Sequence, residues 1–176
     1  PRVEQAMREV IDEEPSVMVH GYMNNAGFPD VRKELALTIS WQAEERYRAD
    51  QFIMTTGAAA ALNILLKTIL NPGDEVLSFK PYFSEYKNYV ENYGAVLKLV
   101  ATDPETFLPN LDALRAAIGE KTRALILNSP NNPSGVIYSE ELLRGIQAVL
   151  AEKEREFENC ILVISDEPYR ELVYDG

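Results

Sequence analysis

The chain has one cysteine, Cys160, and one histidine, His20, in 176 residues. One cysteine excludes an intrachain disulfide, and the lack of a disulfide framework makes a reducing cytoplasm the expected compartment. With one histidine, a nucleophilic triad or a zinc site would have to use His20. Its neighbours offer no metal-ligand spacing, and it reads as structural. Positive charge is scarce as well. The 17 Lys and Arg against 28 Asp and Glu leave a net charge of −11. That excludes the basic surface nucleic-acid phosphates require and the polybasic patch an anionic membrane attracts. No apolar run approaches the length of a membrane span, and no segment reads as a secretory leader. Internal repeats and low-complexity stretches are lacking too. The chain opens Pro1-Arg2-Val3 without an initiator Met and stops at Tyr174-Asp175-Gly176 just after a strand-like run, so a longer protein is expected.

What is present is a hydrophobic content of 46%, enough to bury one sizeable core. From about residue 50, short β-branched runs alternate with longer helical stretches, the pattern of βαβ units. Strands are predicted over 52–55, 75–79, 96–101, 123–127 and 161–164, and helices over 58–70, 82–93, 111–118 and from Ser139 to about 158. Local signals set these limits. Asn71-Pro72-Gly73 stops the first helix and Gly94 the second, while Asn110 caps the third and Gly119 ends it. Glu140 and Glu141 favour the first turn of the fourth helix, near its positive dipole end. The run Glu152-Lys153-Glu154-Arg155-Glu156 reads as a solvated face. Before residue 50, helices are predicted over 2–14 and 31–45, joined through a Gly- and Asn-containing loop at 20–27. The expected architecture is α/β: a doubly wound domain over 50–176, with a mostly parallel sheet and helices on both faces, preceded by a helical arm over 1–49.

Two of the predicted strands end in polar clusters. Ala124-Leu125-Ile126-Leu127 runs into Asn128-Ser129-Pro130-Asn131-Asn132-Pro133-Ser134-Gly135, and Ile161-Leu162-Val163-Ile164 runs into Ser165-Asp166-Glu167-Pro168-Tyr169. Ligands of open parallel sheets sit beyond the carboxyl ends of the strands. There an Asn amide, a carboxylate and a phenol would face one crevice and suit a flat, phosphorylated, nitrogen-containing ring. Pro130 and Pro133 stiffen the loop that carries Asn132, although an Asn-Pro-Ser-Gly turn needs no ligand to explain it. Asp166 follows four apolar residues and one serine, so partial burial would oblige it to find a cation or donors. A protonated ring nitrogen would serve, and so would Arg170 or a loop N–H. At Thr55-Thr56-Gly57-Ala58-Ala59 a strand turns directly into a helix, where backbone N–H groups and the dipole can hold a phosphate. Small residues there also permit tight helix–sheet packing. The segment Lys80-Pro81-Tyr82-Phe83-Ser84-Glu85-Tyr86 offers an aromatic ring to stack on a planar ligand, or else the buried face of a helix.

The ordered series Tyr22 with Ala26-Gly27 and Val31-Arg32, then Gly57-Ala58-Ala59, Pro81-Tyr82-Phe83, Asn131-Asn132-Pro133-Ser134-Gly135 and Asp166-x-x-Tyr169 resembles the fold-type-I, pyridoxal-phosphate-dependent aminotransferases of the aspartate aminotransferase class. The resemblance covers nearly the whole chain. It implies that Gly57, Ala58 and Ala59 cradle the cofactor phosphate through backbone N–H groups and that Phe83 stacks on the pyridine ring. It also implies that Asn132 and Tyr169 bind the ring's phenolic oxygen and that Asp166 pairs with the pyridinium nitrogen, keeping the ring an electron sink. Asn132 would contact the amino-acid substrate as well. Tyr22 would reach the cofactor of a neighbouring subunit, which implies a homodimer.

Two departures qualify the match. Relatives often carry a hydroxyl in the phosphate turn, where this chain has Ala58 and Ala59. The family's cofactor-linking lysine lies well beyond the match to Asp166, and Lys33, Lys67, Lys80, Lys87, Lys98, Lys121 and Lys153 all precede it. No catalytic residue is therefore assigned, and the 176-residue chain alone is expected to be inactive. The expected function is a fragment of an aminotransferase that exchanges an amino group between an amino acid, with aspartate a candidate, and a 2-oxo acid. The alternatives are a pyridoxal-phosphate-dependent lyase or other enzyme on the same scaffold, and the aminotransferase-like sensor domain of a transcription regulator.

Overall fold

A computed structural model of the chain describes residues 1–43, 45–172 and 174. The chain divides into two compact units, Pro1–Thr56 and Gly57–Gly176.

The first unit holds α1 (Arg2–Glu13), α2 (Ser16–His20), α3 (Pro29–Ala43) and a 3-10 turn at Ala49–Gln51. The two long helices follow the prediction; the predicted end of the second touches residue 44, outside the described residues. Pro29 begins α3, a place where the absent N–H costs nothing. On α1, Val3, Met7, Val10 and Ile11 recur at helical spacing and are all exposed. The short α2 was not predicted. Residues 52–55, predicted as a strand, join no sheet among the described residues. Phe52 is extended, at φ −111° and ψ 134°. The Phe52 N–H donates to the Ala49 carbonyl at 3.3 Å, and the Met54 N–H to the Ala26 carbonyl at 3.0 Å. β-branched composition extends a segment, but only a neighbour supplies the ladder that makes it a strand. Gly27 is tied to the same contact. Its φ is +94°, and a Cβ there would lie 2.4 Å from Met54 Cγ.

The second unit is a parallel sheet of β1 (Glu75–Phe79), β2 (Val96–Val100), β3 (Thr122–Asn128) and β4 (Leu162–Asp166), in the order β2-β1-β3-β4. Its helices are α4 (Ala58–Ile69), α5 (Glu85–Glu91), α6 (Leu111–Ala117) and α7 (Glu140–Phe157). Strand parity sorts them into two layers. Val76, Ala124, Ile126 and Ile164 pack with Leu62 and Leu66 of α4 and Tyr86 and Val90 of α5. The alternate residues Leu77, Phe79, Leu125 and Leu127 pack with Leu114 of α6 and Ile146, Val149 and Leu150 of α7. Both faces of β1 and β3 are covered, which is why these strands read as continuous apolar runs rather than alternating ones. This is the doubly wound α/β arrangement expected from the sequence.

Capping follows the sequence signals. Asn110 Oδ1 accepts from the Ala113 N–H at 2.9 Å, and Ser139 Oγ accepts from the Leu142 N–H at 3.2 Å. α5 is shorter than the predicted 82–93. Both flanks wind more tightly than an α-helix: Tyr86 N–H donates to the Phe83 carbonyl at 3.0 Å and Tyr93 N–H to that of Val90 at 3.3 Å. Among the described residues β4 pairs with β3 alone, and its Leu162 and Val163 are 42% and 49% exposed.

Tyr138, just before α7, lies in the second of these cores and meets Phe79 edge-on at 6.3 Å. Burial pushes its phenol from the ordinary 10.0 up to about 12. Between those values the folded chain keeps a proton that the unfolded chain has lost, so Tyr138's contribution is complete below pH 10 and falls as pH rises toward 12. Denaturant unfolding across that window is expected to show a shallower fall in stability for Tyr138→Phe than for the wild type.

Candidate functional site

The site begins with the pairing of β3 and β4, whose parallel register sets Asn128 opposite Asp166. Each is the last residue of its strand. Asn128 stands two residues after Ile126 and Asp166 two after Ile164, so by strand parity both side chains point to the layer of α4 and α5. Asn128, 5% exposed, links the two strand ends. Its Nδ2 donates to the Asp166 carbonyl at 2.8 Å, and its Oδ1 accepts from the Asn132 N–H at 2.7 Å. Asn132 Nδ2 in turn donates to the Tyr169 hydroxyl at 3.0 Å. The loop after β3 is braced internally. Asn131 Oδ1 accepts from Ser134 N–H and Oγ at 3.2 and 2.7 Å, and Ser129 Oγ accepts from the Tyr138 N–H at 3.0 Å. The peptide bonds before Pro130 and Pro133 are cis.

These groups border a cleft of about 240 Å³ lined by Ala58, Ala59 and Leu62 of α4, Phe83, Tyr89, Asn128, Asn132, Asp166, Pro168 and Tyr169. The predicted residues Ala58, Ala59, Phe83, Asn132, Asp166 and Tyr169 are thus brought together. Gly57 precedes them as the N-cap of α4 at φ +89°, where a Cβ would meet nothing within 4 Å. Glycine here serves the backbone conformation and keeps the space before the helix open. Ala58, Ala59 and Ala60 form the first turn of α4, whose N–H groups have no intrahelical acceptor. Tyr22 belongs to the first unit, in the segment after α2, and is fully exposed.

Sequence reasoning weighed Arg170 and a loop N–H as partners for Asp166. The donor observed is the hydroxyl of Tyr86, on α5, which bonds Asp166 Oδ2. Arg170 has ion pairs with Glu171 at 3.3 Å and Glu167 at 3.7 Å. Burial, reinforced by the bond to Asp166 and its charge, holds the Tyr86 phenol well above the ordinary tyrosine range. The Phe83 ring meets Tyr86 edge-on at 5.6 Å and also borders the cleft, so the stacking and buried-face readings of this segment fall to different residues. Asn128 was missed, although its parity with Ile126 marks it as the counterpart of Asp166.

Helix-terminal N–H groups, a flat aromatic, an amide–phenol pair and a carboxylate gather at the carboxyl edge of a parallel sheet, in a doubly wound α/β domain with a cleft at its strand ends. The family model for aminotransferase class I and II matches residues 1–176. Among curated relatives, the probable aspartate/prephenate aminotransferase of Thermus aquaticus is 37% identical over 156 residues, 88% of this chain and 39% of that protein. Human tyrosine aminotransferase is 34% identical over 175 residues, 99% of this chain and 36% of that one. The crystal structure of an amino transferase from Eubacterium rectale superposes with a TM-score of 0.96 at 40% identity, covering all of this chain and 45% of that one. A Thermus thermophilus aspartate aminotransferase mutant gives 0.84 at 34% identity, over 98% and 45% of the two chains. The chain belongs to the class I and II aminotransferases, and it spans less than half the length of these relatives.

Asn128→Ala would leave the Asp166 carbonyl and the Asn132 N–H without their present partner, at about 1–3 kcal/mol for each group that stays buried. The expected result is a lower denaturation midpoint together with faster hydrogen exchange at the Asn132 amide. A surface change such as Glu141→Ala is the control.

Proposed function

We propose that the chain is the cofactor-cradling part of an aminotransferase that exchanges an amino group between an amino acid and a 2-oxo acid through pyridoxal phosphate. The observation that carries this reading is the convergence on one cleft of the α4 first turn, Phe83, the Asn132–Tyr169 pair and Asp166. The donor set fits the cofactor. Backbone N–H groups from Gly57, Ala58 and Ala59 suit its phosphate, and Phe83 suits the face of its ring. Asn132 and Tyr169 suit the phenolic oxygen, and the Asp166 carboxylate suits the ring nitrogen in its protonated form. The open space before Gly57 leaves room for a phosphate that any side chain there would occupy. When bound, pyridoxal phosphate supplies an electron sink for negative charge developing at the substrate Cα.

This chain's residues would then hold, orient and polarise. Asp166 would keep a proton on the ring nitrogen, and Asn132 would also contact the amino-acid substrate. In a homodimer, Tyr22 would reach the neighbouring subunit's phosphate. No lysine lines the cleft among the described residues, and the role of linking the cofactor is assigned to no residue of this chain. Similarity to proteins named as aspartate aminotransferases makes aspartate the first amino donor to try, and a reducing cytoplasm is the proposed compartment.

Full-length protein supplied with pyridoxal phosphate is expected to show the near-visible absorbance of the lysine-linked cofactor and to convert aspartate and a 2-oxo acid to oxaloacetate and the matching amino acid. Asp166→Ala is expected to weaken cofactor binding about ten- to a hundredfold, the loss of a hydrogen bond to a charged group. The absence of any cofactor band would overturn the reading, whereas pyruvate and ammonia released from amino acids with a β leaving group, such as serine or cysteine, would point to a lyase.

A further inference from the structure

Asp166 has to be held in place. To pair with a ring nitrogen it must present an oxygen to the cleft, and it stands partly buried at the end of β4, beside α4 and α5. A cationic partner would cancel the charge it has to present. A neutral donor holds one oxygen by a charge-assisted hydrogen bond and leaves the net charge in place. The structure contains such a donor. Tyr86 is 1% exposed, packs with Leu62, Leu66, Val90, Ile126 and Ile164, and is fixed edge-on by Phe83. Its hydroxyl donates to Asp166 Oδ2.

We propose that Tyr86 is a positioning residue for Asp166, which fixes the carboxylate rotamer and holds one oxygen, with the other left to the cleft. This rests on the reading of Asp166 as the partner of the cofactor's ring nitrogen. The Tyr86 hydroxyl takes Oδ2, and Asp166 itself borders the cleft. Tyr86 remains a donor because burial and the adjacent carboxylate hold its own ionisation far above neutral pH. The other titratable groups near Asp166 are Tyr89 on α5 and Glu167, Tyr169, Arg170 and Glu171 in the segment after β4. α4 presents Ala58, Ala59 and Leu62 there and β3 presents Asn128, none of which titrates.

The test reads the bond from its tyrosine end, in full-length protein free of cofactor and labelled with 13C at the tyrosine Cζ atoms, with the Tyr86 signal identified by its loss in Tyr86→Phe. In the wild type that signal is expected to stay protonated far into the alkaline range and to move toward the ordinary tyrosine value in Asp166→Asn. Equilibrium dialysis of Tyr86→Phe with pyridoxal phosphate is expected to show affinity weakened about three- to tenfold. Failure of the signal to move in folded Asp166→Asn protein overturns the proposal. The titration needs no cofactor, so wild-type protein that binds no pyridoxal phosphate defeats the functional reading, while the tyrosine signal still decides for or against Tyr86. If Tyr86→Phe does not fold, the signal is taken as the tyrosine that stays protonated to the highest pH, and its response to Asp166→Asn decides.

Discussion

Much of this domain rests on the parallel pairing of β3 with β4, and on the one register that sets Asn128 beside Asp166. A shift of one residue would turn Asp166 toward the layer of α6 and α7 and set Ser165 in its place. The side-chain bonds of Asn128 restrain that register at the open end of the sheet, where the backbone ladder stops. One amide ties the carbonyl of one strand's last residue to the backbone of the loop that leaves the other. The positions of Asn132 and Tyr169 follow from the same restraint, since each sits a few residues beyond a pinned strand end.

The two packing layers divide the labour. The α6–α7 layer is built from aliphatic side chains with Phe79 and Tyr138 and supports the sheet from behind. The α4–α5 layer is also a core, but it ends in the cleft, and its helices contribute to the site directly. The first turn of α4 offers backbone N–H groups, and α5 offers a phenol and the neighbouring aromatic ring. The core therefore runs on into the cleft. Tyr86 is a core residue through its ring and meets Asp166, at the cleft border, through its hydroxyl.

Much of this was legible in the sequence because it is local. β1 and β3 were readable as uninterrupted apolar runs, α6 and α7 by their Asn110 and Ser139 caps, and the carboxylate of Asp166 by its position after an apolar strand. Three features were not legible, each for a physical reason. Residues 52–55 have the composition of a strand, but composition cannot supply a neighbour, and none of the described residues forms a ladder with them. The start of α5 was placed too early because Tyr82 and Phe83 continue the apolar spacing, while the backbone there turns with i→i−3 bonds. The partner of Asp166 lies 80 residues away on another layer, a separation at which spacing carries no signal. Asn128 is the exception: counting by twos from Ile126 identifies it, and it was hidden only among the polar residues of the loop that follows.

The free side of β4 has a consequence for how the chain behaves in company. An edge strand exposes a row of backbone donors and acceptors that any extended peptide can match, and Leu162 and Val163 add uncovered apolar surface on its two faces. Little in β4 itself opposes such an addition: it contains no lysine, proline or bulge, and its one charge, Asp166, stands at its end. What opposes it is diffuse. The net charge of −11 makes copies of the chain repel one another. Solubility is then a balance between a local template for strand addition and a global electrostatic repulsion, and added salt, which screens only the second, tips it toward association.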